Sequence, residues 1–465
     1  MSENVEGQRL HLGFDRGTIV LRGLRSDTAA RLPQVRWDSR VGVFRAPARH
    51  YAGVRAELEQ LGIRFTDEVH PVVAAPAIWK AMDLRPYQEA GLCAWELDNR
   101  RGVVVLPTGA GKTRLAMAAI SRTGSRALCL VPTRVLLEQW VRAIGENYLG
   151  PVGCFGDGER VLRPVTVATF ESGYRYMDRI GNHFDLLIVD EAHHFGSGAR
   201  DEALEMTIAA ARLGLTATPP RRGPAPDRLD DLIGVVVFEL AISDLAGSFL
   251  APFETMTLRL DLTSDERRDY ERWVQLYREP FRRFRQLHPG SSWETFVRAA
   301  ARFDEGRRAI AAWRRSRRML AYAQSKRKAL RTLLARHRAQ RVIVFVGDNE
   351  TAYAIAREHL IMPFTCDIRR KERAVVLERF RKGELRALVS AQALNEGVDV
   401  PGAEIGIIVA GRRGEREHVQ RVGRLLRPRE GKRALIYEMV LRGTAEVGQA
   451  ARRREGLVSR SSVTD

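Results

Sequence analysis

Short, nearly continuous apolar runs recur along the chain, separated by stretches with helical patterning. Between residues 101 and 238 they read Val103-Val104-Val105-Leu106, Ala127-Leu128-Cys129-Leu130-Val131, Val165-Thr166-Val167-Ala168, Leu186-Leu187-Ile188-Val189 and Arg212-Leu213-Gly214-Leu215. Runs without polar alternation predict strands buried on both faces, and the helical stretches between them predict crossovers that return each strand parallel to the last. The rhythm resumes after residue 340 in Val342-Ile343-Val344-Phe345-Val346, Ala387-Leu388-Val389-Ser390 and Ile405-Gly406-Ile407-Ile408-Val409. Two tandem α/β domains with parallel sheets follow.

Two segments break the rhythm. Residues 1–80 read as a small strand-rich unit, with Gly17-Thr18-Ile19-Val20-Leu21-Arg22 and Val41-Gly42-Val43-Phe44 ahead of a helix over about 51–61. Residues 264–328 are helical and basic, with 18 Lys or Arg against 8 Asp or Glu, a local excess of +10. The whole chain carries 76 Lys or Arg against 57 acidic residues, a formal charge of +19, so more than half the excess sits in that one segment. A surplus of this size favours a polyanionic partner, with nucleic acid foremost. Tyr270, Trp273, Val274, Tyr277, Phe281 and Phe284 recur there at helical spacing and are read as core; the basic side chains form the active surface.

Cysteine usage and hydropathy narrow the class. Cys93, Cys129, Cys154 and Cys366 are scattered with no Cys-x-x-Cys pair, which excludes a disulfide framework, a zinc ribbon and a four-cysteine iron–sulfur cluster. The first residues lack the basic-then-apolar pattern of a signal peptide, and no apolar run approaches the ~18 residues of a membrane span. A cytoplasmic protein without membrane attachment is expected.

The chemistry is concentrated at strand ends. Pro107-Thr108-Gly109-Ala110-Gly111-Lys112-Thr113 lies between an apolar strand and a helical stretch. Glycines there let backbone N–H groups wrap phosphates, Lys112 supplies charge to them, and the Thr113 hydroxyl is placed for Mg²⁺. Leu106 stands where the first glycine of the longer Gly-x4-Gly-Lys-Thr form would be. Asp190-Glu191-Ala192-His193-His194 follows another strand, where parallel sheets bind ligands. Asp190 is the expected Mg²⁺ holder and Glu191 the group that polarises the attacking water. Upstream, Leu84-Arg85-Pro86-Tyr87-Gln88 places Arg85 and Gln88 to read an adenine edge, and Leu215-Thr216-Ala217-Thr218-Pro219 sits where hydrolysis is coupled to movement. In the second half, Gly397 and Asp399 of Glu396-Gly397-Val398-Asp399-Val400-Pro401 are expected near the nucleotide, with Gln420. Arg424 and Arg427, on the same basic stretch as Gln420, are the expected arginine fingers, because a transferring phosphoryl group spreads charge that arginines from a second domain can stabilise. The expected nucleic-acid contacts are Arg134, Thr169, Ser390 and Gln392, together with Arg314, Arg315, Arg317 and Arg318 of the basic segment.

In this order the motifs resemble helicase superfamily 2, and most closely the XPB-type DNA repair helicases of the compact archaeal and bacterial kind. The flanks carry the narrower likeness: Asp15-Arg16-Gly17-Thr18-Ile19-Val20 near the start and Arg442-Gly443-Thr444-Ala445-Glu446-Val447 near the end. The resemblance implies two RecA-like motor domains, at 81–250 and 251–465, a damage-recognition-like domain at 1–80 and a DNA-gripping helical thumb at about 264–328. It also implies a monomeric, ATP- and Mg²⁺-dependent motor moving 3′ to 5′ on single-stranded or forked DNA in nucleotide excision repair, with a nuclease partner in some microbial members. One departure stands out: where that family has an Arg-Glu-Asp element after Thr-Ala-Thr, this chain reads Arg221-Arg222-Gly223. The alternative is therefore a double-stranded DNA translocase, or a motor subunit working with a nuclease, that does not unwind by itself.

If Arg424 and Arg427 act only in the transition state, Arg424→Ala and Arg427→Ala will each lower ATP turnover far more than ATP affinity. Such arginines contribute on the order of a thousandfold or more to phosphoryl transfer. Single-turnover hydrolysis set beside equilibrium ATP binding separates the two, and a proportionate loss of both would exclude the finger role.

Overall fold

The apolar runs become sheet wherever the chain is described. The computed structural model describes residues 10–71, 75–156, 158–196, 198–218, 228–245, 253–391, 403–410 and 434–455. They fall into two compact units, Met1–Leu240 and Ala241–Asp465.

In the first unit, β1 (Leu10–Asp15), β2 (Thr18–Arg22), β3 (Arg36–Asp38), β4 (Val43–Pro47) and β5 (Phe65–Asp67) form a sheet of order β3-β4-β2-β1-β5. It is antiparallel except where β1 meets β5. The helix Tyr51–Gln60 covers it through Tyr51, Val54 and Leu58. Next come β6 (Arg101–Val105), β7 (Ala127–Val131), β8 (Val152–Gly156), β9 (Glu159–Val161), β10 (Val165–Thr169), β11 (Leu186–Asp190), β12 (Ala211–Thr216) and β13 (Val236–Glu239). Their order is β13-β6-β12-β11-β7-β10-β8-β9, parallel throughout except for the β8–β9 hairpin. Every residue of β7, β10 and β11 is buried, as strands covered on both faces must be.

A buried guanidinium joins the two sheets' supports. Arg212 of β12 is fully buried and donates to the carbonyls of Ala209 (2.9 Å), Leu204 (2.8 Å), Leu232 (2.6 Å) and Thr207 (3.1 Å). Desolvation lowers its pKa to about 9. The segment it fixes presents Ile208 to the core of the N-terminal sheet and Met206 to Gly17. Gly17 has φ +76°, and a Cβ there would lie 2.4 Å from Met206 Cγ, so the turn between β1 and β2 needs glycine twice over. Asn182 donates to Val69 O at 2.8 Å, and Arg126 holds Asp185 (2.9 and 3.1 Å) while meeting His70 at 2.8 Å. The N-terminal sheet is thereby docked by a shared apolar core and by polar contacts.

The second unit has β14 (Phe253–Leu260), β15 (Val342–Phe345), β16 (Met362–Phe364), β17 (Ala387–Ser390), β18 (Ile405–Ile408) and β19 (Ala434–Leu441), all parallel, in the order β14-β19-β18-β15-β17-β16. Between β14 and β15 the basic segment forms helices Ser264–Leu287, Trp293–Ala300, Asp304–Ala321 and Gln324–Arg336. Thr263 caps the first, accepting from Glu266 N while the Glu266 carboxylate accepts from Thr263 N. Tyr277, Phe281 and Phe284 pack with Trp293, Phe296 and Ile310, and Tyr270 and Val274 pack with Leu262, Leu320 and Leu441, so these aromatics are core. No helix among the described residues is long and apolar enough to cross a membrane.

Lys326 ties this insertion to the sheet. Fully buried, it donates to Leu320 O (2.8 Å), Val409 O (2.7 Å) and Glu446 Oε1 (2.7 Å), and Glu446 Oε2 accepts from Leu441 N at 3.1 Å. The Glu446 of the C-terminal motif is thus the counter-charge of a buried ammonium. Lys326→Met leaves that carboxylate alone and should cost about 3–5 kcal/mol. Adding Glu446→Gln keeps the bond to Leu441 N, removes the charge and should recover a large part of the loss. Denaturant unfolding of the wild type and the three variants gives the coupling, and additive losses would refute it.

Candidate nucleotide site and nucleic-acid cleft

The glycine-rich loop follows β6 and opens the helix Lys112–Thr123. Gly109 (φ +88°) and Gly111 (φ +80°) take left-handed backbone, and Gly111 is the helix N-cap. The first amides of that helix have no intrahelical acceptor and make an anion site together with the helix dipole. A Cβ on Gly111 would lie 2.3 Å from Gln88 Nε2, so the sequence needs glycine here for space as well as for φ. The helix Pro86–Leu97 braces the loop: Tyr87 Oη and Gln88 Nε2 donate to Ala110 O at 2.9 and 2.8 Å, and Gln88 Oε1 accepts from Arg85 N at 2.9 Å. Gln88 is nearly fully buried, and both ends of its amide are committed to backbone. The geometry makes it a brace for the phosphate loop rather than an open reader of a base. Lys112 Nζ donates to Leu106 O at 3.2 Å, and the buried hydroxyl of Thr108 has no hydrogen-bond partner.

Two strands away, β11 delivers Asp190 and Glu191 at its C-terminal end. Asp190 is 6% exposed; its Oδ1 accepts from Glu191 N at 3.0 Å and its Oδ2 from Trp140 Nε1 at 3.2 Å. Burial, reinforced by the Glu191 charge and opposed by Lys112, raises its pKa to about 7. Glu191 itself takes left-handed backbone (φ 51°). His193 Nδ1 lies 3.4 Å from Glu191 Oε2 and 3.0 Å from Thr216 Oγ1, which in turn donates to Thr218 O at 3.0 Å. Glu191 thereby lies beside the imidazole that meets the Thr-Ala-Thr segment.

These residues fit a nucleotide phosphate with a divalent cation. A carboxyl whose ionisation is opposed by burial gains most from a nearby cation. The Thr108 hydroxyl and Glu191 Oε2 are buried without a hydrogen bond of their own, with the His193 ring at ion-pair distance from the latter. Among the described residues no group of three or more His, Cys, Asp or Glu could hold a metal ion unaided.

On the same domain a second cleft, of about 400 Å³, collects nucleic-acid candidates. Thr133 caps the helix Arg134–Asn147 and Thr169 caps the helix Phe170–Ile180, accepting from Leu136 N (3.3 Å) and Ser172 N (3.2 Å). Both helix N-termini and Arg134 line it. The structure adds two residues that sequence reading missed, Arg160 of β9 and Arg175. Arg160 donates to Tyr176 Oη at 2.7 Å and stacks over that ring at 4.8 Å; Arg175 pairs with Glu171 at 2.8 Å. Nothing in the linear pattern marked Arg160, because its hairpin is what carries it to the cleft.

Other expected residues fall differently. Ser390 is fully buried at the end of β17, its hydroxyl without a partner, so it is withdrawn from the surface on which a strand would lie. Arg314, Arg315, Arg317 and Arg318 lie on the helix Asp304–Ala321, where the helical repeat of about 100° per residue spreads them over one arc. Arg317 stands over the Trp313 ring at 5.7 Å and Arg318 pairs with Glu350 at 2.8 Å. Gln392, Gly397, Asp399, Gln420, Arg424 and Arg427 lie outside the described residues, as does Arg221-Arg222-Gly223.

Comparison with known proteins agrees along the chain. Residues 12–69 match the family described as "Xeroderma pigmentosum group B helicase damage recognition domain", 81–221 "Type III restriction enzyme, res subunit" and 325–429 "Helicase conserved C-terminal domain". The "DNA 3'-5' translocase XPB2" of Sulfurisphaera tokodaii is 34% identical over 447 residues, covering 96% of this chain and 100% of that protein. The "DNA 3'-5' helicase XPB" of Mycobacterium tuberculosis is 27% identical over 84% of this chain and 66% of its own length. In fold, the Hef helicase domain of Pyrococcus furiosus superposes with a TM-score of 0.55 at 18% identity, covering 80% of this chain and 98% of that one. Phosphate loop, strand-end carboxylates and flanking motifs thus coincide with full-length similarity, and the chain belongs to the XPB-type family of superfamily 2 helicases.

Proposed function

We propose that this chain hydrolyses MgATP at the site built by β6 and β11 and uses the energy to move 3′ to 5′ along DNA in repair. The observation that carries the reading is the buried Asp190–Glu191 pair at the end of β11, beside the Lys112 ammonium that opposes the rise in the Asp190 pKa. The backbone amides of 109–113 bind the phosphates and Lys112 neutralises their charge. Thr113 and Asp190 would hold Mg²⁺, whose positive charge would offset that of the phosphates. Glu191 orients and polarises water, and His193 holds Glu191 in register with Thr216 and Thr218. Gln88, through Ala110, keeps the loop in its phosphate-binding shape. From the second half, Arg424 and Arg427 act as fingers, with Gln420, Gly397 and Asp399 beside the nucleotide. DNA is the strand because the relatives' printed names specify it, and the cleft of Thr133, Arg134, Arg160 and Arg175 offers phosphate contacts on this domain. The arginines of the helix Asp304–Ala321 add a basic grip.

A second reading, translocation without autonomous unwinding, is favoured by Arg222-Gly223 in place of the family's acidic pair.

Lys112→Ala should lower ATP hydrolysis on the order of a hundredfold or more, the scale of a lost phosphate-binding charge in the transition state, while DNA binding persists. Glu191→Gln should bind nucleotide but not turn it over. Colorimetric phosphate release with filter binding of DNA checks both, and near-normal hydrolysis by either variant would move the site elsewhere.

Unwinding decides between the two readings. On a duplex with a 3′ single-stranded tail, the wild type is expected to separate strands poorly at full ATPase rate, and Arg222→Glu/Gly223→Asp to unwind faster with ATPase unchanged. Arg222→Glu alone controls for a turn that needs Gly223. Efficient unwinding by the wild type without partners would make the acidic pair dispensable.

A further inference from the structure

The helix Arg134–Asn147 touches both of the sites described above, at opposite ends of its first two turns. Its first residue lines the nucleic-acid cleft, and its buried stripe is Leu137, Trp140 and Ile144. At three- and four-residue spacing such a stripe reads as packing alone. Trp140, however, is 1% exposed and its indole N–H donates to a carboxylate, Asp190 Oδ2, at 3.2 Å. The other oxygen of that carboxylate accepts from Glu191 N at 3.0 Å. One donor on each oxygen fixes the plane of the carboxylate, which otherwise turns freely about its terminal torsion, and leaves the remaining lone pairs in a set direction. Arg134 and Trp140 are six residues apart, a rise of about 9 Å along one rigid helix. A displacement of the helix by a bound strand therefore moves the donor that orients Asp190.

We propose that Trp140 is a positioning residue that aligns Asp190 for Mg²⁺ and ties that alignment to nucleic acid bound at the start of its helix. The inference rests on the reading of this site as a MgATP site. Donors in the shell around a metal ligand typically govern metal affinity by about ten- to a hundredfold. Phenylalanine keeps most of the ring and removes only the donor.

The test is Mg²⁺ titration of the binding of a fluorescent ATP analogue to the full chain, with and without single-stranded DNA. Trp140→Phe is expected to raise the Mg²⁺ concentration for half-maximal nucleotide binding about tenfold. In the wild type DNA should lower that concentration, and in the variant it should not. Trp95→Phe is the matched control, because Trp95 is fully buried in the same domain and donates to Arg212 O at 2.9 Å, away from the carboxylate. It should lose stability and keep the Mg²⁺ requirement. A Trp140→Phe requirement within about twofold of wild type, on the order of experimental scatter, an equal shift in Trp95→Phe, or no DNA effect on the wild type would overturn the proposal. Wild-type nucleotide binding indifferent to Mg²⁺ would instead overturn the reading of the site beneath it.

Discussion

Asp190 has to carry a charge in a place that resists charge. Burial at the end of β11, reinforced by the neighbouring Glu191 charge, raises its pKa to about 7, so the site stores a demand for positive charge. Much else in the first unit answers that demand. The ammonium of Lys112 approaches from the loop after β6, the indole of Trp140 from one helix and the amide of Glu191 from the strand end itself. A carboxylate exposed to water would need none of these and would be a weaker hold for a cation, because water would compete for it.

The same economy of buried charge recurs away from the nucleotide. Arg212 is buried among backbone carbonyls and Lys326 between two carbonyls and Glu446. Arg212 fixes the nearby 204–209 stretch, against which the N-terminal sheet docks, to the carbonyl of Leu232, and Lys326 joins segments far apart in sequence, the helical insertion, the end of β18 and the helix Ala445–Glu455. Buried ions of this kind are weak sources of net stability but strong penalties on misassembly, since any arrangement that leaves them unpaired is costly. Two of the sequence features that resemble the XPB family acquire physical reasons this way. Gly17 is where the N-terminal turn meets Met206, and Glu446 is where a buried lysine finds its charge.

Coupling between chemistry and movement has a material basis within the first domain. His193 links Glu191 to the Thr-Ala-Thr segment, and the helix Arg134–Asn147 links the cleft to Asp190. The second link is a side chain on a regular helix, so small displacements along it are transmitted rather than absorbed. The helical insertion contributes charge differently: Tyr277, Phe281, Phe284, Trp293 and Phe296 pack in its own core, while most of its arginines face outward.

The sequence alone was enough for the parallel sheets, because strands buried on both faces must be apolar at every position, and for the loop and carboxylates, because their chemistry is local to a few consecutive residues. Strands that are only half covered escaped that signal: β14 alternates polar and apolar from Thr255 to Leu260 and gains its place from eight residues of pairing with β19. What only tertiary structure decided is who meets whom. In the sequence Trp140 carries no functional mark, Gln88 is an expected base reader, Arg160 carries no mark either and Ser390 is an expected contact. Folding turns the first toward Asp190, the second onto Ala110 and the third into a cleft, and it buries the fourth. Periodicity encodes which side of an element is apolar. The partner that a buried polar atom finds is set by another part of the chain, tens of residues away, and is fixed only when the sheet brings the two together.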